Sequence, residues 1–199
     1  MSYLIECLDN YMDGKGCTTS SKRRPLIIPD TSFVVKSCKY DNYEDLSWDL
    51  LGGHLGYTEG LKEEYKVHND TYLNWKDKEI PDKVYNDLIQ YGDPVENFFE
   101  EDVEEYDVLD KHFETIDKAV NEAFEEENEV SITDRGILAA GMELYPRRVI
   151  LLSDDKDIRE PTKELWKGGY NSCNSGFVNM CVVGNQEISD FLDEVRKGF

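Results

Sequence analysis

The chain has 199 residues, of which 39% are apolar, and a formal net charge of −21 at pH 7. This length and apolar content suit one domain whose core needs no disulfide or structural metal. No apolar run approaches the roughly 20 residues that cross a bilayer, and the N-terminus lacks the pattern of a secretion signal, so we expect a cytoplasmic protein without a membrane anchor. The five cysteines are scattered, with no CxxC pair, which favours reduced thiols over a zinc cage.

The first half of the chain predicts strands and helices in alternation. Residues 14–25 are rich in Gly, Ser and Thr and indicate a linker that closes an N-terminal extension over residues 1–25. The apolar run 26–35 predicts a strand buried on both faces. A helix over 43–51 and a short strand at 54–57 follow, and Thr58 is the expected N-cap of the next helix.

The second half continues this alternation. Residues 81–129 have helical spacing throughout, and a further helix is expected to begin at Thr133 as its N-cap. Strands are predicted at 148–152 and 177–183, and a helix over 187–199 closes the chain. Strands that alternate with helices predict an α/β fold with a parallel sheet flanked by helices.

The negative charge is concentrated in one segment. Between Asp93 and Glu129 there are 16 acidic and two basic residues, a local net charge of −14. We name residues 93–129 the acidic segment and expect it to modulate function and to add little to the core. It belongs to a helical insertion at about 69–129 within a single domain over 26–199.

Acidic residues also stand at the ends of predicted elements, where parallel sheets collect functional groups. Asp30 interrupts the first apolar run, Asp154 and Asp155 directly follow the strand ending at 152, and Asp134 lies in the first turn of a helix. Taken alone, an aspartate at any of these positions is more often a turn or capping residue than a metal ligand. If they meet, they form an all-oxygen site of the kind that suits Mg²⁺ or Mn²⁺.

Three stretches carry these residues: "IIPDTSFVV", "SITDRGILAAGMEL" and "VILLSDDKDI". In this order they resemble the PIN-domain nucleases, over roughly residues 26–68 and 130–195. The resemblance implies a three-layer PIN-like fold and a metal site that holds Asp30, Asp134 and Asp155 together with a helical Glu. The Thr/Ser-x-Asp-x-Asp pattern of the family maps onto Ser153, Asp155 and Asp157, which favours Asp155 over Asp154 as the ligand.

The helical Glu is less closely defined. The stretch "TEGLKEEYKV" offers Glu59, Glu63 and Glu64, and the Glu-Tyr pairing of similar sequences favours Glu64. Two hydroxyl residues, Thr31 and Ser153, are expected to orient the ligands or to contact phosphate.

The resemblance implies a metal-dependent endoribonuclease that cleaves single-stranded RNA, with Asp30, Glu64, Asp134 and Asp155 as catalytic residues. Its implied partners are RNA, an antitoxin or other basic protein, and a second copy of the chain. Four lysines, at 36, 39, 156 and 163, could line a phosphate track, although scattered lysines are usually solvated. The alternative is a non-catalytic, PIN-like scaffold protein whose acidic segment docks a basic partner. RNA binding is favoured by positive charge, and the acidic segment therefore fits poorly with a nuclease.

Overall fold

A computed structural model describes residues 26–37, 54–71, 78–99, 104–124, 130–144, 149–167 and 180–184. Its elements, in chain order, are β1 (Leu26–Pro29), α1 (Thr31–Lys36), β2 (His54–Tyr57), α2 (Glu59–Thr71), α3 (Glu79–Tyr91), β3 (Asp93–Pro94), a 3-10 turn (Val95–Phe98), α4 (Glu105–Ala123), α5 (Ile132–Glu143), β4 (Val149–Leu152), α6 (Lys156–Lys167) and β5 (Met180–Val183). The predicted α/β fold is confirmed. The linker at 14–25 and the helices predicted at 43–51 and 187–199 lie outside the described residues.

The five strands form one sheet in the order β3-β2-β1-β4-β5, and every described pair is parallel. The chain builds the sheet outward from β1 to one side and then places β4 on the other side of β1. The order of strands therefore reverses between β1 and β4, where Leu26 pairs with Val149 and Pro29 with Leu152. In open α/β sheets, ligands bind at this reversal, outside the carboxyl ends of the strands.

Alternate residues of the strands point to opposite faces of the sheet. Ile28 of β1, Leu151 of β4 and Val182 of β5 belong to one large apolar cluster with α4, α5 and α6. Ile27 and Ile150, the intervening residues, are also buried. The strands are therefore covered on both faces, as the continuous apolar runs predict, and the domain has three layers.

Helix α4 corrects the expectation that the acidic segment adds little to the core. Five apolar residues of α4 belong to the main cluster: Val108, Leu109, Ile116, Ala119 and Val120. They recur at helical spacing, so one face of the helix is apolar while its acidic residues occupy the other. The helix packs on both α5 and α6. The described part of the acidic segment thus contributes, through α4, to the helices that cover one face of the sheet, and the outer face of α4 is charged.

Two predicted elements have wrong boundaries. The first apolar run is not one strand, because β1 ends at Pro29 and α1 begins at Thr31. The helix predicted over 81–129 is broken after Tyr91 by the short β3, the 3-10 turn and a new helix start at Glu105. Apolar residues at helical spacing continue across this break because each successive element buries its own apolar side, and the spacing alone does not show that they belong to one helix.

The N-cap of α5 is Ser131 and not the predicted Thr133, and α5 begins at Ile132. The N-cap role of Thr58 is confirmed, since its Oγ1 accepts a hydrogen bond from the backbone N–H of Leu61 at 3.2 Å. Among the described residues, no helix is long and apolar enough to cross a membrane.

Candidate metal centre at the reversal of strand order

Asp30 lies directly after β1 and is the N-cap of α1. Its backbone N–H donates to the carbonyl of Leu152 at 2.9 Å, which fixes the residue against the end of β4. Its Oδ2 accepts hydrogen bonds from the Ser32 backbone N–H at 3.2 Å, from the Ser32 hydroxyl, and from Ser153 Oγ at 2.9 Å. None of the hydrogen bonds among the described residues reaches Oδ1. The capping function therefore uses one oxygen and leaves the other for a ligand.

Ser153 joins the ends of the two central strands. The residue is fully buried directly after β4. Its Oγ donates to Asp30 Oδ2 and accepts from the Asp155 backbone N–H at 3.0 Å. One hydroxyl thus fixes the positions of both Asp30 and Asp155. The predicted orienting role of Ser153 agrees with these contacts.

Asp155 lies where β4 leads into α6. Its Oδ1 accepts from the Asp157 backbone N–H at 2.9 Å, and its carbonyl accepts from the Arg159 backbone N–H at 3.0 Å. This is the hydrogen bonding of a helix N-cap. Two neighbouring strands therefore each end in an aspartate that caps the following helix.

Asp134 and Glu64 come from a different pair of helices. Asp134 lies in the first turn of α5, where its backbone N–H donates to Ser131 Oγ at 3.1 Å and Ser131 Oγ donates to its Oδ2 at 2.7 Å. Helix α2 approaches α5 closely at Gly60, where an added Cβ would lie 2.4 Å from Cγ2 of Thr133. Glu64 follows Gly60 by four residues and therefore shares its face of α2.

These residues line one cavity of about 310 Å³. The lining consists of four carboxylates, three hydroxyl residues, one apolar residue and one base: Asp30, Glu64, Asp134, Asp155, Thr31, Ser32, Ser131, Val35 and Lys36. Glu64 lines the cavity, whereas Glu59 and Glu63 do not. Asp155 lines it, whereas Asp154 does not. The four acidic residues predicted as catalytic thus share one cavity at the point where the order of strands reverses.

Burial and mutual repulsion raise the pKa of two of these carboxyls. Burial raises the pKa of Asp30; hydrogen bonds from Ser32 and Ser153 lower it, and the charges of Glu64 and Asp155 raise it further. Burial is also the main reason that the pKa of Asp134 is raised to about 7. The hydrogen bond from Ser131 lowers this pKa, and the charges of the other three acids raise it. Without a cation, the cavity therefore disfavours the charged forms of Asp30 and Asp134.

The starts of α5 and α6 partly offset this repulsion. Asp155 caps α6 and Asp134 lies in the first turn of α5, where the partial positive charge of the helix dipole stabilises a carboxylate by roughly 0.3 to 1 kcal/mol. The same geometry is also the ordinary reason for an aspartate to stand at a helix start. Capping accounts for each of these residues singly, and it does not account for their convergence on one cavity.

The residues fit a hard divalent cation in donor chemistry. The acidic side chains of the lining can donate only oxygen atoms to a metal. Such a donor set suits Mg²⁺ or Mn²⁺ better than zinc. Thr31 lines the same cavity at 3% exposure, and its buried Oγ1 has no hydrogen-bond partner among the described residues. As the side chains stand, no three His, Cys, Asp or Glu side chains of the described residues are arranged closely enough to hold a metal ion. Binding therefore requires side chains such as Asp134, now turned to Ser131, to change rotamer.

Asp157, the remaining predicted ligand, is not among the residues that line the cavity. Its buried Oδ1 has no hydrogen-bond partner among the described residues. Burial and the charge of Asp155 raise its pKa, while Lys156 lowers it. Its contact with the site runs through its backbone N–H to Asp155.

Sequence reasoning missed Ser131 and Ser32. Ser131 begins the pattern Ser-x-x-Asp that marks a helix start, so the signal was present one turn before Asp134. Ser32 belongs to the predicted strand that proved to be a helix. No protein-family model matches the sequence, and none of the curated proteins matches it significantly.

Proposed function

We propose that the chain is a metal-dependent endoribonuclease that hydrolyses phosphodiester bonds of single-stranded RNA at the acidic cavity. One observation carries the proposal: Asp30, Glu64, Asp134 and Asp155 line a single cavity at the reversal of strand order. Four carboxylates without a paired base are costly to bring together, and a divalent cation removes that cost. The resemblance of the three acidic stretches to PIN-domain nucleases supports the same reading.

Mg²⁺ or Mn²⁺ would be held by Asp30, Glu64, Asp134 and Asp155, with Asp157 as a fifth proposed ligand. Such a cation activates a water molecule and neutralises charge on the phosphate. The overall reaction joins the oxygen of water to phosphorus and breaks one bridging P–O bond, so that one fragment keeps the phosphate and the other a hydroxyl. No covalent intermediate with the protein is required.

The chain's own contribution is positioning. Ser153 orients Asp30 and Asp155 through one buried hydroxyl. Losing the Ser153 hydroxyl would leave the Asp155 backbone N–H without its acceptor and would remove one of the three hydrogen bonds that Asp30 Oδ2 accepts. The Thr31 hydroxyl offers the site one further neutral oxygen. Ser153 holds Asp30 and Asp155 before substrate arrives, which lowers the cost of reorganising these two residues, whereas Asp134 would have to turn away from Ser131 to bind the metal.

The direct test is cleavage of a labelled single-stranded RNA with Mn²⁺ or Mg²⁺, with and without EDTA. We expect cleavage that EDTA abolishes and that Asp155→Asn lowers by at least about 100-fold, as loss of a metal ligand does. The matched control is Asp154→Asn, the same change one residue away and outside the cavity lining. Cleavage that survives both EDTA and Asp155→Asn would reject the proposed site.

The second candidate function is a binding protein that docks a basic partner. It is favoured by the outward face of α4, where Asp107, Asp110 and Glu114 are exposed, and by the lack of a preformed metal group among the described residues. Antitoxin binding or self-association would be forms of this role. A wild-type protein that binds no Mn²⁺ and cleaves no RNA, while retaining salt-dependent binding to a polylysine probe, would favour this function.

A further inference from the structure

Lys36 is the one basic residue in the lining of the acidic cavity. It lies in the last turn of α1, five residues after Thr31 and on the same short helix. Its side chain is half-buried. Four carboxylates share the cavity with it, yet none of the ion pairs among the described residues includes Lys36. Within the described residues, Lys36 therefore lines the site without forming an ion pair with the site's own acids.

Charge counting indicates what this ammonium can bind. With all lining groups ionised, four carboxylates and one lysine give the cavity a formal charge of −3. One divalent cation lowers this only to −1, so a phosphodiester entering the loaded site still meets net repulsion. Lys36 supplies the one positive charge counted in this lining, and it forms no ion pair with the carboxylates there, so it is the group of the lining that can attract an anion.

We infer that Lys36 binds a non-bridging phosphate oxygen of the substrate and so holds the RNA backbone beside the carboxylate site. This inference rests on the proposed function and assigns the substrate-binding part of the same cavity. Lys36 is a substrate-binding residue here, as an ammonium that contacts phosphate as a point charge.

Two ordinary roles compete with this one. A lysine in the last turn of a helix interacts favourably with the helix dipole. A lysine among acids can also simply reduce their repulsion, which would stabilise the metal-free fold. Both roles predict that losing the charge lowers stability and leaves RNA binding unchanged. The phosphate role predicts weaker RNA binding and a smaller dependence on salt.

The test compares wild type with Lys36→Gln, Lys36→Arg and the control Lys83→Gln. Lys83 is an exposed lysine of α3 outside the cavity lining, so its substitution makes the same charge change elsewhere. The measurements are kcat and KM for a single-stranded RNA with Mn²⁺, RNA affinity by fluorescence anisotropy across a salt series, Mn²⁺ affinity by calorimetry, and thermal melts.

For Lys36→Gln we expect KM to rise about tenfold, as for loss of a charge-assisted hydrogen bond. The slope of log affinity against log salt should fall by about 0.7, the contribution of one phosphate contact in single strands. Mn²⁺ affinity should be unchanged or higher, because a positive charge has left the site. Lys36→Arg should restore most of the binding, and Lys83→Gln should behave as wild type.

The outcomes separate this inference from the proposed function. If wild type cleaves RNA and Lys36→Gln has the same KM and salt slope, the inference is overturned while the nuclease function stands. If wild type binds RNA without cleaving it and Lys36→Gln weakens that binding, the inference stands and the nuclease function fails. If wild type binds no RNA, both are rejected.

Discussion

Replacing Asp30 with asparagine separates the charge of this residue from its capping role. Asp30 is 3% exposed, and its Oδ2 alone accepts three hydrogen bonds, from two groups of Ser32 and from Ser153. The amide oxygen of asparagine can take the place of Oδ2, and Asn ranks with Asp as an N-cap. Asp30→Asn therefore keeps the cap and removes one of the four negative charges.

In EDTA, Asp30→Asn should be at least as stable as wild type. The pKa of Asp30 is raised, chiefly by burial, so the fold disfavours the charged form that the substitution removes. Asp30→Ala is the contrasting variant, because it leaves the Ser153 hydroxyl and the Ser32 N–H without their acceptor. We expect it to cost at least about 2 kcal/mol.

Adding Mn²⁺ should reverse the order of wild type and Asp30→Asn. At a hundredfold excess over its dissociation constant, a ligand that binds only the folded state adds about 2.7 kcal/mol of stability. For a domain of this size, that corresponds to a rise in Tm of about 5 to 10 °C. Asp30→Asn should gain much less, and the control Asp154→Asn should gain as much as wild type.

Thermal melts of the four proteins with EDTA and with Mn²⁺ make the comparison. If Asp30→Asn melts below wild type in EDTA and gains as much from Mn²⁺, Asp30 acts only as a cap. The metal site would then lose its central ligand, and the nuclease proposal would fail with it.

Two further predictions concern packing and pH. Gly60→Ala should lower the free energy of unfolding by about 1 to 3 kcal/mol, because the new Cβ would lie 2.4 Å from Thr133 Cγ2. In the control Gly136→Ala, nothing lies within 4 Å of the new Cβ, and urea melts should show a gain of about 0.5 to 1 kcal/mol in the free energy of unfolding. Equal effects of the two substitutions would contradict the close approach of α2 and α5. Burial raises the pKa of Glu105 to about 7, so its contribution to stability should be fully present below about pH 4.5 and disappear as pH rises through 7. Urea melts between about pH 4.5 and about pH 8 should show that the free energy of unfolding falls by on the order of 1 kcal/mol more in wild type than in Glu105→Gln. If the free energies of the two proteins change in parallel with pH, the pKa of Glu105 is not raised.

Local sequence pattern determined the class of the fold and the place of its acids along the chain. The apolar run at 149–152 predicted a strand, because a strand that is covered on both faces is apolar at every position. Thr58 was identifiable as a cap because capping depends on neighbours three residues away. Asp30, Asp134 and Asp155 were identifiable as candidate site residues because each stands at the end of an element, and the three line one cavity.

Tertiary structure decided everything that depends on residues far apart in the chain. Helical spacing does not distinguish Glu59, Glu63 and Glu64, and the family resemblance only favours Glu64; in the fold, Glu64 alone of these three lines the cavity. The acidic segment has enough charge to suggest a solvated lobe, yet the apolar face of α4 is buried against helices that follow it in the chain. Ser153 contacts both Asp155 and Asp30, which lies 123 residues earlier in the chain. Lys36 lines the same cavity because α1 begins where β1 ends. The local spacing of apolar and polar residues does not predict such contacts. They arise only when parallel strands and their connecting helices bring the ends of distant elements to one edge of the sheet.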